Sequence, residues 1–346
     1  MPDLDTIIEL ANEAFWGVVR IPFDMGVRYS VFYLAVTVAL AFLIWRYRNE
    51  KAPFLRWLLP KSVYTHRSNL LDIKLSIFNR VLGQSGLFGA LVFIPVVAFW
   101  TSRLLSGNEE LPDTYAEVTF STALFVTFLA LVSLDFCKYW SHRLMHECDP
   151  LWPFHAVHHS AEVLTPLTVS RTHPMDVIVR GVFVSVIVGI FQGVVLYVFV
   201  GQVDFITIGG ANFFNFFVFS LGANLRHSHI WLSFGPFFEH ILVSPAQHQI
   251  HHSSAVEHHN KNYGSLFAIW DWAFGTLYIP EKRENLVWGI SDGEGNPLPQ
   301  EHTSMGRALI LPFVQCHRKL RGLWPRSARV SKHTGGEIEK LHDAKR

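Results

Sequence analysis

An all-α integral membrane bundle, with about four to five transmembrane helices and a cytoplasmic helical cap carrying histidine motifs, is the architecture this sequence predicts. Three observations predict it: long uncharged apolar runs, charged segments of alternating sign between them, and histidines repeated at helical spacing. Half of the 346 residues are hydrophobic and 16% are charged, and the mean hydropathy is +0.23. That balance is too apolar for an ordinary soluble domain and excludes a disordered chain. A net charge of +1 gives no argument for nucleic-acid binding, and no nucleic-acid partner is expected. The three cysteines, Cys137, Cys148 and Cys316, form neither a CxxC pair nor a disulfide ladder. Histidine is the outlier: there are 19, and fourteen of them lie between His142 and His259.

The N-terminus carries Asp3, Asp5, Glu9 and Glu13 where a cleavable leader would be basic, so no signal peptide is expected. Residues 14–28 mix aromatics with charges and read as interfacial. Residues 29–45 are the first uncharged apolar run, and residues 87–100, with softer flanks from 81 to 105, are the second. Residues 118–134 are the third. From Gly181 to Leu225 the only charge is Asp204, which allows two helices with a turn near 201–204. A spanning helix needs about 20 apolar residues, and 17 is near the lower limit.

Residues 46–80 are strongly basic, 105–117 are acidic, and the chain after Arg318 is basic again. The positive-inside rule places the two basic segments in the cytoplasm. Counting crossings then puts 135–177 and everything after 226 on the same side. Three segments follow: N-terminal membrane and interfacial helices over 1–118, a histidine-bearing domain over 119–280, and a polar basic tail over 281–346.

His142 and His146 continue the third apolar run at i, i+4, so one helix face carries both rings. His155, His158 and His159 repeat at i, i+3, i+4, with Asp149-Pro150 read as the helix start. His248, His251 and His252 have the same spacing, and Ser244-Pro-Ala-Gln247 reads as a capping box with proline in the first turn. His227 and His229 follow the last apolar run. Neutral imidazole is a common ligand of iron, zinc and copper. One metal usually takes three or four protein ligands, so eight to ten histidines imply two metals. There is no HExxH, and no Glu-x-x-His pair within residues 119–280. A shell of histidine alone leaves a metal electrophilic, which suits oxygen activation at iron. A metal transporter and a membrane zinc hydrolase are the alternatives. The first needs ligands at mid-bilayer. The second needs a general-base carboxylate beside an open metal position.

The order HxxxH, HxxHH, a later histidine after a membrane hairpin, then HxxHH resembles the fatty acid hydroxylase / sterol desaturase superfamily. Asp135-Phe-Cys-Lys-Tyr139-Trp-Ser-His142-Arg143, Leu151-Trp152, His159-Ser160, Arg171-Thr-His173-Pro174, Asn262-Tyr263-Gly264 and Asp271 with Phe274-Gly275-Thr276 carry the resemblance over about 120–280. It implies a membrane non-haem di-iron oxygenase that uses O2 to hydroxylate or desaturate a lipid: a sterol or hopanoid, fatty acyl lipid, aminolipid or carotenoid. The implied ligands are His142, His146, His155, His158, His159, His227, His248, His251 and His252. His229 is the expected tenth, because some members have a histidine where Ala223 stands here. Asp135, His173 and Asp271 are expected to support the ligands by hydrogen bonds. Two Fe ions are the implied cofactor, with Zn able to replace them on isolation. The sequence has no GxGxxG, cysteine cluster or haem-binding His-Pro-Gly-Gly. Electrons are therefore expected from a separate ferredoxin or cytochrome with its reductase.

Overall fold

The computed structural model describes residues 30–84, 93–107, 119–199 and 222–323, with positions 12, 16 and 19–23. The interfacial reading of 14–28, the acidic loop, the second helix of the 181–225 hairpin and the tail from 326 fall wholly or largely outside these residues. Among the described residues the chain is all-helical, with isolated bridges and no strand.

Helix α1 (Val31–Tyr47) packs Ala41 against Leu58, Leu225 and Ile230. Two short turns lead to α2 (Arg67–Gln84), and α3 (Ile94–Leu105) starts with proline in its first turn. Helix α4 (Phe120–Glu147) is capped by Thr119, whose side chain accepts from the Thr122 N–H. It runs 28 residues without a break, so one rigid rod joins the apolar segment to His142 and His146. Helix α5 (Trp152–His159) and a 3-10 turn (Pro166–Ser170) precede α6 (Pro174–Phe199). Helices α7 (Pro245–His251) and α8 (Ile269–Ala273) are short, and α9 (Met305–Leu323) closes the described chain.

Two helices, Leu124–Glu147 and Pro174–Val198, are long and apolar enough to cross a membrane; Val31–Tyr47 and Ile94–Leu105 are shorter apolar helices. At 1.5 Å per residue the 25 residues of the second span about 37 Å, more than the ~30 Å of a hydrocarbon core.

Helix α6 packs against both α3 and α4. Glycines allow the close approach to α3. A Cβ at Gly189 would lie 2.6 Å from Val97 Cβ, and one at Gly193 would lie 2.6 Å from the Ala98 carbonyl and collide with Thr101 Cβ. This is the small-xxx-small solution to helix packing without a hydrophobic drive. Gly193→Leu is therefore expected to push α3 and α6 apart at a cost of about 1–3 kcal/mol. A Cβ at Gly181 would meet nothing within 4 Å among the described residues, so Gly181→Ala is the control without a clash. Thermal unfolding in detergent compares the two, and equal midpoints would contradict the packing argument.

The first part of the segment expected as a polar tail from 281 packs on the rest of the chain. Residues 281–304 run over the cap, with the Ser254 N–H on the Val287 carbonyl (2.9 Å) and the Leu298 N–H on the Ile290 carbonyl (2.9 Å). Helix α9 then buries Ala308 with Leu71, Leu75 and Val157, tying α9 to α2 and α5. The amphipathic period of 305–323 carries this packing, and its interleaved Arg and Lys made the segment read as polar.

Candidate metal centre

Nine histidines converge. His142 and His146 project from the last turns of α4, and His155, His158 and His159 occupy α5. Helix α7 supplies His248 and His251, with His252 as its C-cap. The capping box forms as read: Ser244 Oγ accepts from the Gln247 N–H (3.1 Å), and Gln247 Oε1 accepts from the Ser244 N–H (2.9 Å). The start of α5 differs. Its N-cap is Leu151, and Asp149 instead accepts from Lys319 at the surface (3.2 Å).

The rings form two adjoining groups: His142, His146, His155, His159 and His251 in one, His158, His227, His248 and His252 in the other. Within each group the ligand atoms lie within 4.8 Å of one another. Each HxxHH helix serves both. Helix α5 sends the i, i+4 pair His155 and His159 to the first group and His158 to the second; α7 sends His251 to the first and its pair His248 and His252 to the second.

Proton bookkeeping tests whether a cation fits. His142 Nδ1 meets the Tyr263 carbonyl at 2.8 Å and His251 Nδ1 the Lys261 carbonyl at 2.8 Å. A carbonyl only accepts, so both rings carry their hydrogen on Nδ1 and present a bare Nε2. His155 Nδ1 donates to Asp176 Oδ2 at 3.1 Å. The Nε2 atoms of His142 and His155 then face each other at 3.1 Å as two lone pairs. The buried Nε2 atoms of His146, His159 and His251 have no hydrogen-bond partner. In the second group, His227 Nε2 lies 3.3 Å from His158 Nε2, 3.1 Å from His252 Nε2 and 3.1 Å from His248 Nε2, and the last two are 3.2 Å apart. Tetrahedral coordination at about 2.0–2.1 Å requires nitrogen separations of this size. Converging lone pairs fit a metal ion in the first group, and four Nε2 atoms at these separations fit one in the second when each ring carries its hydrogen on Nδ1.

Burial holds His158, His159, His248 and His252 well below the usual imidazole range, and it pushes His251 down to about 3. Neutral rings are the ligating form. The same shift makes the metal-free protein acid-sensitive. An unfolded chain takes up protons near 6.5, whereas the buried His251 ring does so only near 3. Each such ring contributes stability that is complete above about 6.5 and is lost, at up to ~1.4 kcal/mol per pH unit, as pH falls through that window. Asp271, pushed up to about 6 by burial, has the opposite sign between 3.8 and 6 and offsets one ring. The urea midpoint of chelated protein is expected to drop between pH 7.5 and pH 5.5; a constant midpoint would refute the assignment of buried neutral rings.

The Asn262-Tyr263-Gly264 motif has a mechanical explanation. Asn262 sits in the left-handed region (φ 57) and its amide donates to the Gln247 and Tyr278 carbonyls. Tyr263 supplies the carbonyl behind His142. A Cβ at Gly264 would lie 2.7 Å from both Asp271 Oδ2 and the Phe267 carbonyl. Asp271 accepts from the Tyr263 N–H (2.8 Å), the Gly264 N–H (2.7 Å) and Thr276 Oγ1 (2.7 Å). It therefore acts on His142 through the loop and touches no imidazole.

Three of the expected site residues lie outside the two groups. Asp135 accepts from the Leu266 N–H (2.9 Å), the Phe267 N–H (3.0 Å) and the Trp270 indole (3.1 Å) instead of a histidine ring. Seven residues along a helix are about 10 Å, too far to reach His142. His173 accepts from the Met175 N–H (3.0 Å) and donates to the Leu309 carbonyl (3.0 Å), which fixes the start of α6 and leaves it off the metal groups. His229 is in neither group. Its Nε2 donates to the Trp57 carbonyl (2.9 Å), and its ring lies between Trp57 and Tyr64. Ser228 Oγ donates to the Leu225 carbonyl and accepts from the Ile230 N–H, a turn that sends His227 inward and His229 away. His229→Asn is expected to keep the metal content of the parent and to cost about 1 kcal/mol of stability. Elemental analysis showing a lost metal would return His229 to the shell.

Asp176 is the supporting residue that sequence reasoning missed. It is fully buried in the first turn of α6, bound to His155 and, at 2.8 Å, to Arg180. The available signal was a lone carboxylate opening an apolar helix with arginine four residues on. A cavity of about 300 Å³, lined by His146, His159, His251, Trp152, Asp149 and Lys319 among others, opens the first group to solvent.

Comparison with known proteins agrees with this geometry. Residues 127–276, which contain all nine converging histidines, match the family described as fatty acid hydroxylase. Ornithine lipid hydroxylase OlsE of Rhizobium tropici is 32% identical over 167 residues, covering 48% of this chain and 46% of that protein. Alkylglycerol monooxygenase of Homo sapiens is 27% identical over 162 residues (47% of this chain, 32% of that protein), and that of Danio rerio 29% over 168 residues (47% and 32%). The chain thus spans less than half the length of these relatives. No solved structure matches.

Proposed function

We propose, from the match of residues 127–276 to the family described as fatty acid hydroxylase, that the chain is a membrane-bound di-iron oxygenase of the fatty acid hydroxylase / sterol desaturase superfamily that hydroxylates a C–H bond of a lipid. The observation that carries this reading is the pair of adjoining all-imidazole groups, the first with buried Nε2 atoms of His146, His159 and His251 that lack a partner, the second with four Nε2 atoms crowded at 3.1–3.3 Å. Iron bound there would use O2 and two external electrons to oxidise an unactivated C–H bond.

The chain's own residues supply the rest. Helices α4, α5 and α7 hold the rings from three directions, and the Tyr263 and Lys261 carbonyls with Asp176 fix three of them in the ligating tautomer. Burial of His155, His158, His159, His227, His251 and His252 keeps bulk water from most of the centre. Neither group contains a carboxylate among the described residues, which weighs against a zinc hydrolase. The rings gather where α4 ends and α6 begins, not at mid-helix, which weighs against a transporter.

In this reading the chain crosses the bilayer four to five times, with the histidine motifs and the C-terminal segment cytoplasmic. A ferredoxin or cytochrome with its reductase delivers electrons at the basic cytoplasmic face. Protein purified under iron-replete conditions should hold about two metals per chain. Supplied with a reductase system and lipid extract, it should consume O2 and add one oxygen atom to a lipid, read by 18O2 incorporation. Metal-loaded protein that incorporates no label from any lipid class would overturn the proposal.

A further inference from the structure

Behind the metal centre lies a second, larger cavity of about 560 Å³, within the usual range for small-ligand sites. One wall is the outer face of α5, a second is α9, and the roof is the segment from Trp288 to His302. Trp152, Gly289, Ile290 and Lys319 line both this cavity and the smaller one at the histidines. The Trp152 ring is the partition: its centroid lies 5.0 Å from His146 and 5.5 Å from His159.

The polar groups of the larger cavity are unequal. Lys319 is paired with Asp149, Glu162 with Arg67, and Glu301 accepts from Gln315. His302 is different. It is 3% exposed, and neither ring nitrogen has a hydrogen-bond partner. Its backbone N–H is held by Gln300 Oε1 (2.9 Å), and the Gln300 amide donates to the Ser160 carbonyl, so the imidazole is anchored. Burial pushes it down to about 4, so it is neutral, with one donor and one acceptor. Leaving both unmet is costly, at about 1–3 kcal/mol for each buried group. Glu162, Glu301 and Lys319 already have partners and Arg318 stands at the rim, while the group that His302 itself suits is a neutral one that both donates and accepts hydrogen bonds. Trp152, Trp288, Pro297 and Leu298 offer apolar walls to the rest of it.

The cavity is also placed to meet lipid. Helix α9, which forms one wall, exposes Ile310 (65%), Phe313 and Val314 beside that wall. Phe313 packs on His173, the residue before the Pro174–Val198 span. An apolar helix face at the start of a span lies at the bilayer surface.

We propose that this cavity binds the neutral, hydroxyl- or amide-bearing polar end of an amphiphilic substrate, with His302 as its recognition residue, and that oxidation falls on carbons near that end. The second clause rests on the oxygenase reading; the binding site does not. The test is photo-cross-linking of the full chain in nanodiscs with a 1-O-alkylglycerol carrying a diazirine next to the glycerol. Label is expected in 150–160 and 286–302. His302→Phe should lower it about five- to tenfold, the equivalent of one hydrogen bond, while His302→Gln should retain it. Leu298→Trp, which fills the cavity, should remove it. Label confined to α4 and α6, or label unchanged in His302→Phe and Leu298→Trp, would overturn the site. Expected labelling without 18O incorporation would leave the site standing and sink the oxygenase reading instead.

Discussion

His158→Ala is expected to lower the metal content from about two ions per chain to about one and to abolish oxygen-dependent lipid oxidation. His158 is the only ring that α5 contributes to the second group, and its removal leaves His227, His248 and His252. Four nitrogens at 3.1–3.3 Å become three, and the open side is buried protein instead of water. A first group intact in His155, His159 and His251 should keep its ion. Asp176→Asn provides the graded comparison. It removes the carboxylate behind His155 Nδ1 without removing a ligand, so the expected loss is about 10–100-fold in metal affinity or activity. Elemental analysis and O2 uptake on both variants check the pair. Two ions retained in His158→Ala would show that the second group is not a metal site.

Arg171→Met is expected to destabilise the protein by about 3–5 kcal/mol, a large share of the 5–15 kcal/mol that typically separates folded from unfolded chains. Arg171 is 1% exposed and Asp72 is fully buried. The guanidinium donates to Asp72 Oδ1 (2.9 Å), the Val157 carbonyl (2.8 Å), and the Ser160 hydroxyl (2.8 Å) and carbonyl (3.3 Å). Burial pushes the Asp72 carboxyl up and the Arg171 guanidinium down, so each charge depends on the other. Methionine would leave Asp72 alone, with only Thr168 Oγ1 donating to it at 2.7 Å. The double variant Arg171→Met with Asp72→Leu should recover most of the loss, because the pair is removed together. Val157 and Ser160 bracket His158 and His159, so metal content should fall with the single variant and partly return with the double. Thermal unfolding in detergent reads the first effect and elemental analysis the second. A midpoint within 2 °C of the parent would refute the role of Arg171 as the anchor of α5.

Helical spacing determined much of this protein. With 3.6 residues per turn, His142 and His146 share a face, and the two HxxHH runs must each crowd three rings onto one short helix. The Ser244 to Gln247 box marked the start of α7, because a cap is a local hydrogen-bond pattern written in consecutive residues. Of the uncharged runs, the one at 118–134 and the one beginning at Gly181 fall in the two described helices long and apolar enough to cross a membrane.

Only the tertiary structure decided which ring serves which group. His158 and His159 are adjacent, so their side chains leave the helix about 100° apart, and packing against α4 on one side and His227 on the other separates them. The same holds for His227 and His229, whose opposite directions come from the turn at Ser228. Asp176 stands 21 residues from the ring it supports, and Arg171 stands 99 from its carboxylate. Asp135, by contrast, is near His142 in sequence and out of reach in space. Periodicity fixes directions along one helix, whereas hydrogen bonds between helices depend on where those helices meet, and no local pattern encodes that.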